Sequence, residues 1–203
     1  MLRDNPALAK LPVPLPDQSL ATLSESPILL FGLTVHTAWG RFGEIQSTPG
    51  VARIPFLDRN VEMLLYAPHQ ENFEKAMWDS ARAGPTKTHL SSLELMAAEL
   101  ATTPDQVKWW GSPIQNEAKS FLLAMKSLKM GDTRSIYFVN FGGWRGFQEG
   151  NPALLPYRVR LDLFDSEDRD YEIIISPKSG VGPSFSQAEV NAMVASLQPL
   201  PHN

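Results

Sequence analysis

The side chains that could do chemistry are few and scattered. The chain holds four histidines and no cysteine. His36, His69 and His89 stand at the edges of expected strands or helices, and His202 lies in the terminal tail. A nucleophilic triad needs a histidine within reach of a nucleophile and a third group to orient it. No Gly-x-Ser-x-Gly elbow frames such a site, because "GPSFS" around Ser184 lacks the last glycine, and no Ser-x-x-Lys pair has supporting partners. The acidic run Asp162, Asp165, Glu167, Asp168, Asp170, Glu172 invites a calcium reading. A loop starting at Asp165 would put Arg169 at a ligand position and Asp170 where glycine is required, so the run reads as a solvated hairpin turn. Outward-facing Asp162 and Glu172 would flank it. With no His-Glu-x-x-His and no thiol, the expectation is no metal, no cofactor and no catalytic residue.

The stretch "FGGWRGFQEGNP", Phe141 to Pro152, concentrates four of the thirteen glycines around Trp144, Arg145, Phe147 and Gln148. A phosphate loop needs Gly-Lys-Ser/Thr opening a helix, and a dinucleotide fingerprint needs Gly-x-Gly-x-x-Gly between strand and helix. Here the chain runs on through Pro152 and Pro156 towards another strand, so no helix N-terminus awaits an anion. Two readings stay open. Gly142–Tyr157 is a long connection whose Trp144, Arg145, Phe147 and Gln148 contact a partner, or its aromatics fold back over the sheet edge. The first reading expects alanine at Trp144 and Arg145 to weaken partner capture without lowering the melting temperature.

Other candidates are weaker. Trp109 and Trp110 are adjacent, so on a helical turn they diverge by about 100° and cannot share one core seam. One of them is a second partner-binding candidate. His36, Trp39, Arg41 and Glu44 follow the first expected strand and could line a pocket between sheet and helices.

At 203 residues the chain fits one domain with a tail. Lys plus Arg total 18 and Asp plus Glu total 22, a net charge of -4 with no basic stripe, which argues against nucleic acid. The longest apolar run, Pro27 to Val35, is far shorter than the ~20 residues of a membrane span. No basic n-region precedes an apolar h-region. The compartment stays open: cytoplasmic if Met1 is native, periplasmic or envelope-anchored if an export signal has been removed.

These residues must be positioned by the following elements. Residues 1–26 read as an extended Pro-rich arm, because Pro14 and Pro16 break any helix. Residues 27–203 read as a single α+β domain. Ile28–Val35 reads as a central strand, apolar on both faces, followed by strands near Phe42–Gln46, Val51–Phe56 and Val61–Tyr66. The period then changes to 3.6. Glu71–Arg82 is one expected helix, and Ser91–Leu100 is another, with a Ser91/Glu94 capping box and a Leu93, Met96, Ala97, Leu100 stripe. Ser112 caps a third helix with Ile114, Ala118, Phe121, Leu122, Met125 and Leu128 on one face and Lys119, Lys126 and Lys129 on a solvated one. Ile136–Phe141, Arg158–Asp165 and Tyr171–Ser176 are strands, the second with Val159, Leu161 and Leu163 inward and its other face in water. A last helix starts at Ser186 with Glu189 opposite, and buries Val190, Met193, Val194 and Leu197. The grouping predicts an α+β fold: a mostly antiparallel twisted sheet of six to seven strands with helices packed on it, in an α/β/α sandwich-like arrangement.

From about residue 112 to 199, the buried helix, the three antiparallel strands with a polar hairpin and the closing helix "SQAEVNAMVASLQP" resemble the PsbP-like fold family. The resemblance implies a twisted antiparallel sheet between helices and a binding or accessory role without an active site. It carries over no functional residue. The leading expectation is therefore a non-enzymatic, bacterial-type accessory protein that binds a protein partner, with its oligomeric state open. The alternatives are a small-molecule binder or hydrolase using the His36 pocket, and an immunity or antitoxin-like inhibitor.

Overall fold

The computed structural model describes residues 21–68, 91–106, 119–124, 126, 136–179 and 182–200. Glu71–Arg82, Trp109, Trp110 and the start of the Ser112 helix lie outside them, as do His69, His89 and His202.

The order of strands and helices follows from patterning. Val51–Pro55 and Glu62–Tyr66 alternate buried and half-exposed residues, so one face of each must be covered. These strands, β4 and β5, pair antiparallel, and Gln46–Ser47 (β3) adds a short edge. A second meander consists of Ile136–Phe141 (β6), Trp144–Glu149 (β7), Val159–Phe164 (β8) and Asp170–Ser176 (β9). The two meanders join where β5 pairs with β9, giving one antiparallel sheet of order β3-β4-β5-β9-β8-β7-β6. The fold is α+β with a seven-stranded sheet, as the grouping of elements predicts.

The run Ile28–Val35 is not one central strand. It is a tight hairpin, Ile28–Leu30 (β1) and Leu33–Val35 (β2), turned at Phe31 and Gly32, whose φ angles are 52° and 74°. Two consecutive residues at positive φ make the turn that matches strand twist. Phenylalanine is a rare choice there, so the apolar run hid the bend. Phe31 is held because its ring packs against the core. Phe42 contributes only an isolated bridge to Phe56 rather than the expected strand.

Both faces of the large sheet are covered. On one face, Met63, Leu65, Val139, Trp144, Val159, Leu161, Leu163, Tyr171, Ile173 and Ile175 form the main core. The helix Gln187–Ser196 (α2) lies there and buries the expected Val190, Met193, Val194 and Leu197. The strand Gln198–Pro199 (β10) then pairs with β2, so a three-stranded sheet β1-β2-β10 closes the same side. The helix Ser92–Ala101 (α1) covers the opposite face at the β6–β7–β8 end, through Leu93, Met96, Ala97 and Leu100 against Ile136, Phe147 and Phe164. Both helices carry the capping box the sequence predicts, Ser91/Glu94 and Ser186/Glu189. Residues 119–124 are helical, and Leu122 packs on Leu95.

Two surfaces expected to be solvated are not. Asp162, on the outer face of β8, is 4% exposed. Arg160 Nη2 lies 3.1 Å from Asp162 Oδ1, and Arg160 Nε lies 3.1 Å from Glu172 Oε1, because a carboxylate that leaves water needs a countercharge. Lys126 is half-buried rather than on a free helix face. Its Nζ donates to the carbonyls of Leu100 at 2.7 Å and Thr102 at 3.1 Å, at the C-terminal end of α1. Burial pushes its pKa below the usual lysine value.

Candidate functional site

The "FGGWRGFQEGNP" stretch is not a long loop. Gly142 and Gly143 are the two-residue turn of a hairpin, with φ of 64° and 84°, and Trp144–Glu149 is β7, an interior strand of the sheet. A third glycine is required by packing: a Cβ on Gly146 would run into the carbonyl oxygen of Asp162 on the neighbouring strand. Glycines that serve as turn and close-approach residues look the same in sequence as glycines of a loop, which is why the strand was missed.

The four candidate contact residues therefore separate. Trp144 is 3% exposed. Its Nε1–H donates to the carbonyl of Leu197 at 3.0 Å, the C-cap of α2, and its ring stands edge-on to Tyr171 at 5.4 Å. Phe147 is buried on the opposite face under α1. Gln148 has no exposure; its amide exchanges hydrogen bonds with Gln187 at 2.8 and 3.0 Å and donates to Gly150 O at 3.0 Å. These three are structural, and buried side chains cannot be a contact surface. Arg145 alone stays accessible. It is half-buried and, among the described residues, makes no ion pair.

The proposed pocket residues do not converge. Trp39 is in the core, edge-on to Phe56 and Phe185. His36 Nδ1 lies 2.9 Å from Ser24 O. Arg41 binds Asp58 through Nη2 at 3.0 Å and through its backbone N–H at 2.8 Å, which holds that carboxyl below its usual pKa. Glu44 is exposed. None of the four lines either cleft identified on the described surface.

Two surfaces lie at opposite ends of the β7–β8 pair. The first is a cleft of about 290 Å³ beside Arg145, with Leu93, Glu94, Phe164, Asp165 and Asp168 in its wall. Its carboxylates already have partners. Asp168, at φ 62°, accepts from the backbone N–H of Ser92 at 2.7 Å and of Leu93 at 3.4 Å, and so occupies the N-terminus of α1. Glu94 accepts from Ser91 N–H at 2.9 Å. Asp165, 6% exposed, accepts from the N–H groups of Glu167 and Arg169 and pairs with Arg169 Nε at 2.6 Å. The acidic run is the expected hairpin turn between β8 and β9, with Glu167 exposed, but Asp165 and Asp168 are built into the framework. Among the described residues, no group of three or more acidic, histidine or cysteine side chains could hold a metal ion.

The second surface is the true connection between β7 and β8. Leu154 is 55% exposed and Leu155 is 78% exposed. The loop that presents them is braced: Asn151 Oδ1 accepts from Ala153 N–H at 2.8 Å, Leu154 N–H donates to Asn151 O at 3.1 Å, and Tyr157 N–H donates to Leu154 O at 2.6 Å. The Leu155–Pro156 bond is cis and Tyr157 sits at φ 59°. Arg158, exposed, makes no ion pair among the described residues. The sequence reading put its contact candidates on Trp144–Gln148, and this exposed leucine pair lies about ten residues further along. Its signal was Pro-Ala-Leu-Leu-Pro, two leucines between prolines without strand alternation.

Compared with known proteins, the chain matches no family model, no curated protein and no solved structure. Among the described residues, no helix is long and apolar enough to cross a membrane.

Proposed function

We propose that the chain is a non-enzymatic accessory protein that binds a protein partner through the Leu154–Leu155 loop. The observation that carries this reading is the exposure of two adjacent leucines on a loop held by its own hydrogen bonds. Covering a leucine is worth about 1.5–3 kcal/mol, and a pre-shaped loop loses little further entropy on binding. Arg158 beside the pair selects a partner whose apolar pocket carries a carboxylate at its rim. The PsbP-like resemblance supports an accessory role, and an immunity-type inhibitor would be one case of the same mode. The hydrolase alternative has no comparable support, since His36, Trp39, Arg41 and Glu44 have separate structural neighbours.

The test is affinity purification of the full chain with mass spectrometry, run in parallel on Leu154→Ser/Leu155→Ser. The expected result is one protein partner captured by the wild type and lost from the double variant. The variant's melting temperature should stay within the shift of about 0.5 kcal/mol usual for surface changes. An identical set of captured proteins for both would overturn the reading.

A further inference from the structure

The two edges of the large sheet are built differently. At one edge β3 is two residues long, and at the other β6 runs six residues, Ile136–Phe141. Among the described residues β6 pairs on one side only, with β7. Native sheets blunt an edge with a very short strand, a charge, a proline or a bulge. β3 has the first of these devices. β6, Ile-Tyr-Phe-Val-Asn-Phe, has no charge and no proline, and its register with β7 runs unbroken from Ile136↔Glu149 to Phe141↔Trp144. Phe141 and Trp144 close the two-residue turn, so they form a hydrogen-bonded pair, and the pairs alternate from there. The backbone N–H and C=O groups of Asn140, Phe138 and Ile136 therefore point away from β7. Among the described residues they have no partner.

We propose that β6 is covered by β6 of a second copy of this chain, joining two sheets across a two-fold axis. A row of N–H and C=O groups at every second residue is matched by another extended strand. Antiparallel pairing of a strand with itself is isologous, as a closed dimer requires. The three outward-facing residues fix the register. Phe138 lies opposite Phe138 of the second copy, and Ile136 lies opposite Asn140, each pair exchanging two N–H···O bonds. A second copy is favoured over a foreign strand because this register pairs every outward group of both chains. No charge meets a like charge in it, because β6 carries none. Phe138 is half-buried, with its ring 5.7 Å from that of Phe147, and it gains a cross-strand aromatic neighbour on the α1 face.

The experiment is sedimentation equilibrium of the full chain, with cysteine crosslinking to read the register. Wild type should have twice the chain mass at micromolar concentration. Asn140→Pro should be a folded monomer, because the proline removes an outward N–H that β7 does not use. The chain has no cysteine, so a single introduced cysteine reports without background. In a glutathione redox buffer Phe138→Cys should form a covalent dimer, since the paired Cα atoms lie about 5.5 Å apart. Asn140→Cys should not, since its two copies lie about 14 Å apart along the strands. Circular dichroism checks that each variant is folded, and a misfolded Asn140→Pro leaves the decision to the cysteine pair. A wild type that stays monomeric at millimolar concentration overturns the proposal, because the edge is then covered in some other way. So does a dimer that persists in folded Asn140→Pro, or crosslinking of Asn140→Cys equal to that of Phe138→Cys. The contact is separate from the Leu154–Leu155 reading: Leu154→Ser/Leu155→Ser should dimerise as wild type does.

Discussion

At the Arg145 end of the β7–β8 pair, carboxylates, helix N–H groups and Arg169 bind one another, and Arg145 makes no ion pair among the described residues. At the Gly150 end, about 17 Å away along an extended strand, the backbone is closed by turn hydrogen bonds and the side chains left exposed include two adjacent leucines and Arg158. Each end spends its polar groups on its own structure. Both ends leave an arginine without an ion pair among the described residues, Arg145 at one and Arg158 at the other, and they differ in that the Gly150 end also exposes two adjacent leucines. Roles cannot be assigned from residue type alone, since Trp144 and Gln148 have binding-type chemistry and are buried, while two plain leucines are exposed.

The sharpest way to break this contrast is Trp144→Ala. The indole holds the C-cap of α2 and packs on Tyr171, so its loss should cost about 3–5 kcal/mol, the range for a large aromatic removed from a core. Urea denaturation followed by circular dichroism measures it. The sequence-based expectation of an unchanged melting temperature is reversed for this residue and kept for Arg145. If Trp144→Ala proves as stable as Leu154→Ser/Leu155→Ser, the two ends are not different in kind.

Periodicity revealed much of the fold. Both capping boxes, the α1 and α2 stripes and the inward set Val159, Leu161, Leu163 were legible because each has a repeat set by helix or strand geometry. What failed were positions where one residue type serves two conformations. Glycines 142, 143 and 146 read as a loop but build a hairpin and a close strand contact. Phe31 hid a turn inside an apolar run. The charges of Asp162 and Asp165 suggested water, yet each has a local countercharge, Arg160 two residues back on the same strand face and Arg169 four residues on across the turn, and alternation alone does not show that these pairs are covered. Of the candidate site, only Arg145 was identified in advance.

A smaller effect tests the framework role of Asp168 at the cleft. Asp168→Ala removes the acceptor for two α1 N–H groups and leaves alanine in a left-handed conformation. The expected loss is about 1 kcal/mol for the cap and about 1–2 kcal/mol for the conformation. Asp168→Asn should recover much of this, since asparagine tolerates that region and still accepts. Thermal melts of the three proteins check the ranking. An Asp168→Ala variant with unchanged stability would mean that this carboxylate is free for ligand chemistry.

The smallest expected effect is a pH dependence confined to the Trp144 end. Burial raises the Tyr171 phenol above its usual value of about 10. In the folded chain the phenol therefore keeps a proton that the unfolded chain loses near that value. The resulting stabilisation is fully present below the unfolded pKa and is lost as pH rises through the folded one. Wild type should thus lose melting temperature between pH 9 and roughly pH 11 faster than Tyr171→Phe, which has no proton to lose. The comparison is of slopes, so the packing change from the missing hydroxyl cancels. Leu154→Ser/Leu155→Ser should keep the wild-type slope, because no leucine titrates. Equal slopes for wild type and Tyr171→Phe would show that the phenol reaches water, and that the core beneath Trp144 is less closed than its burial implies.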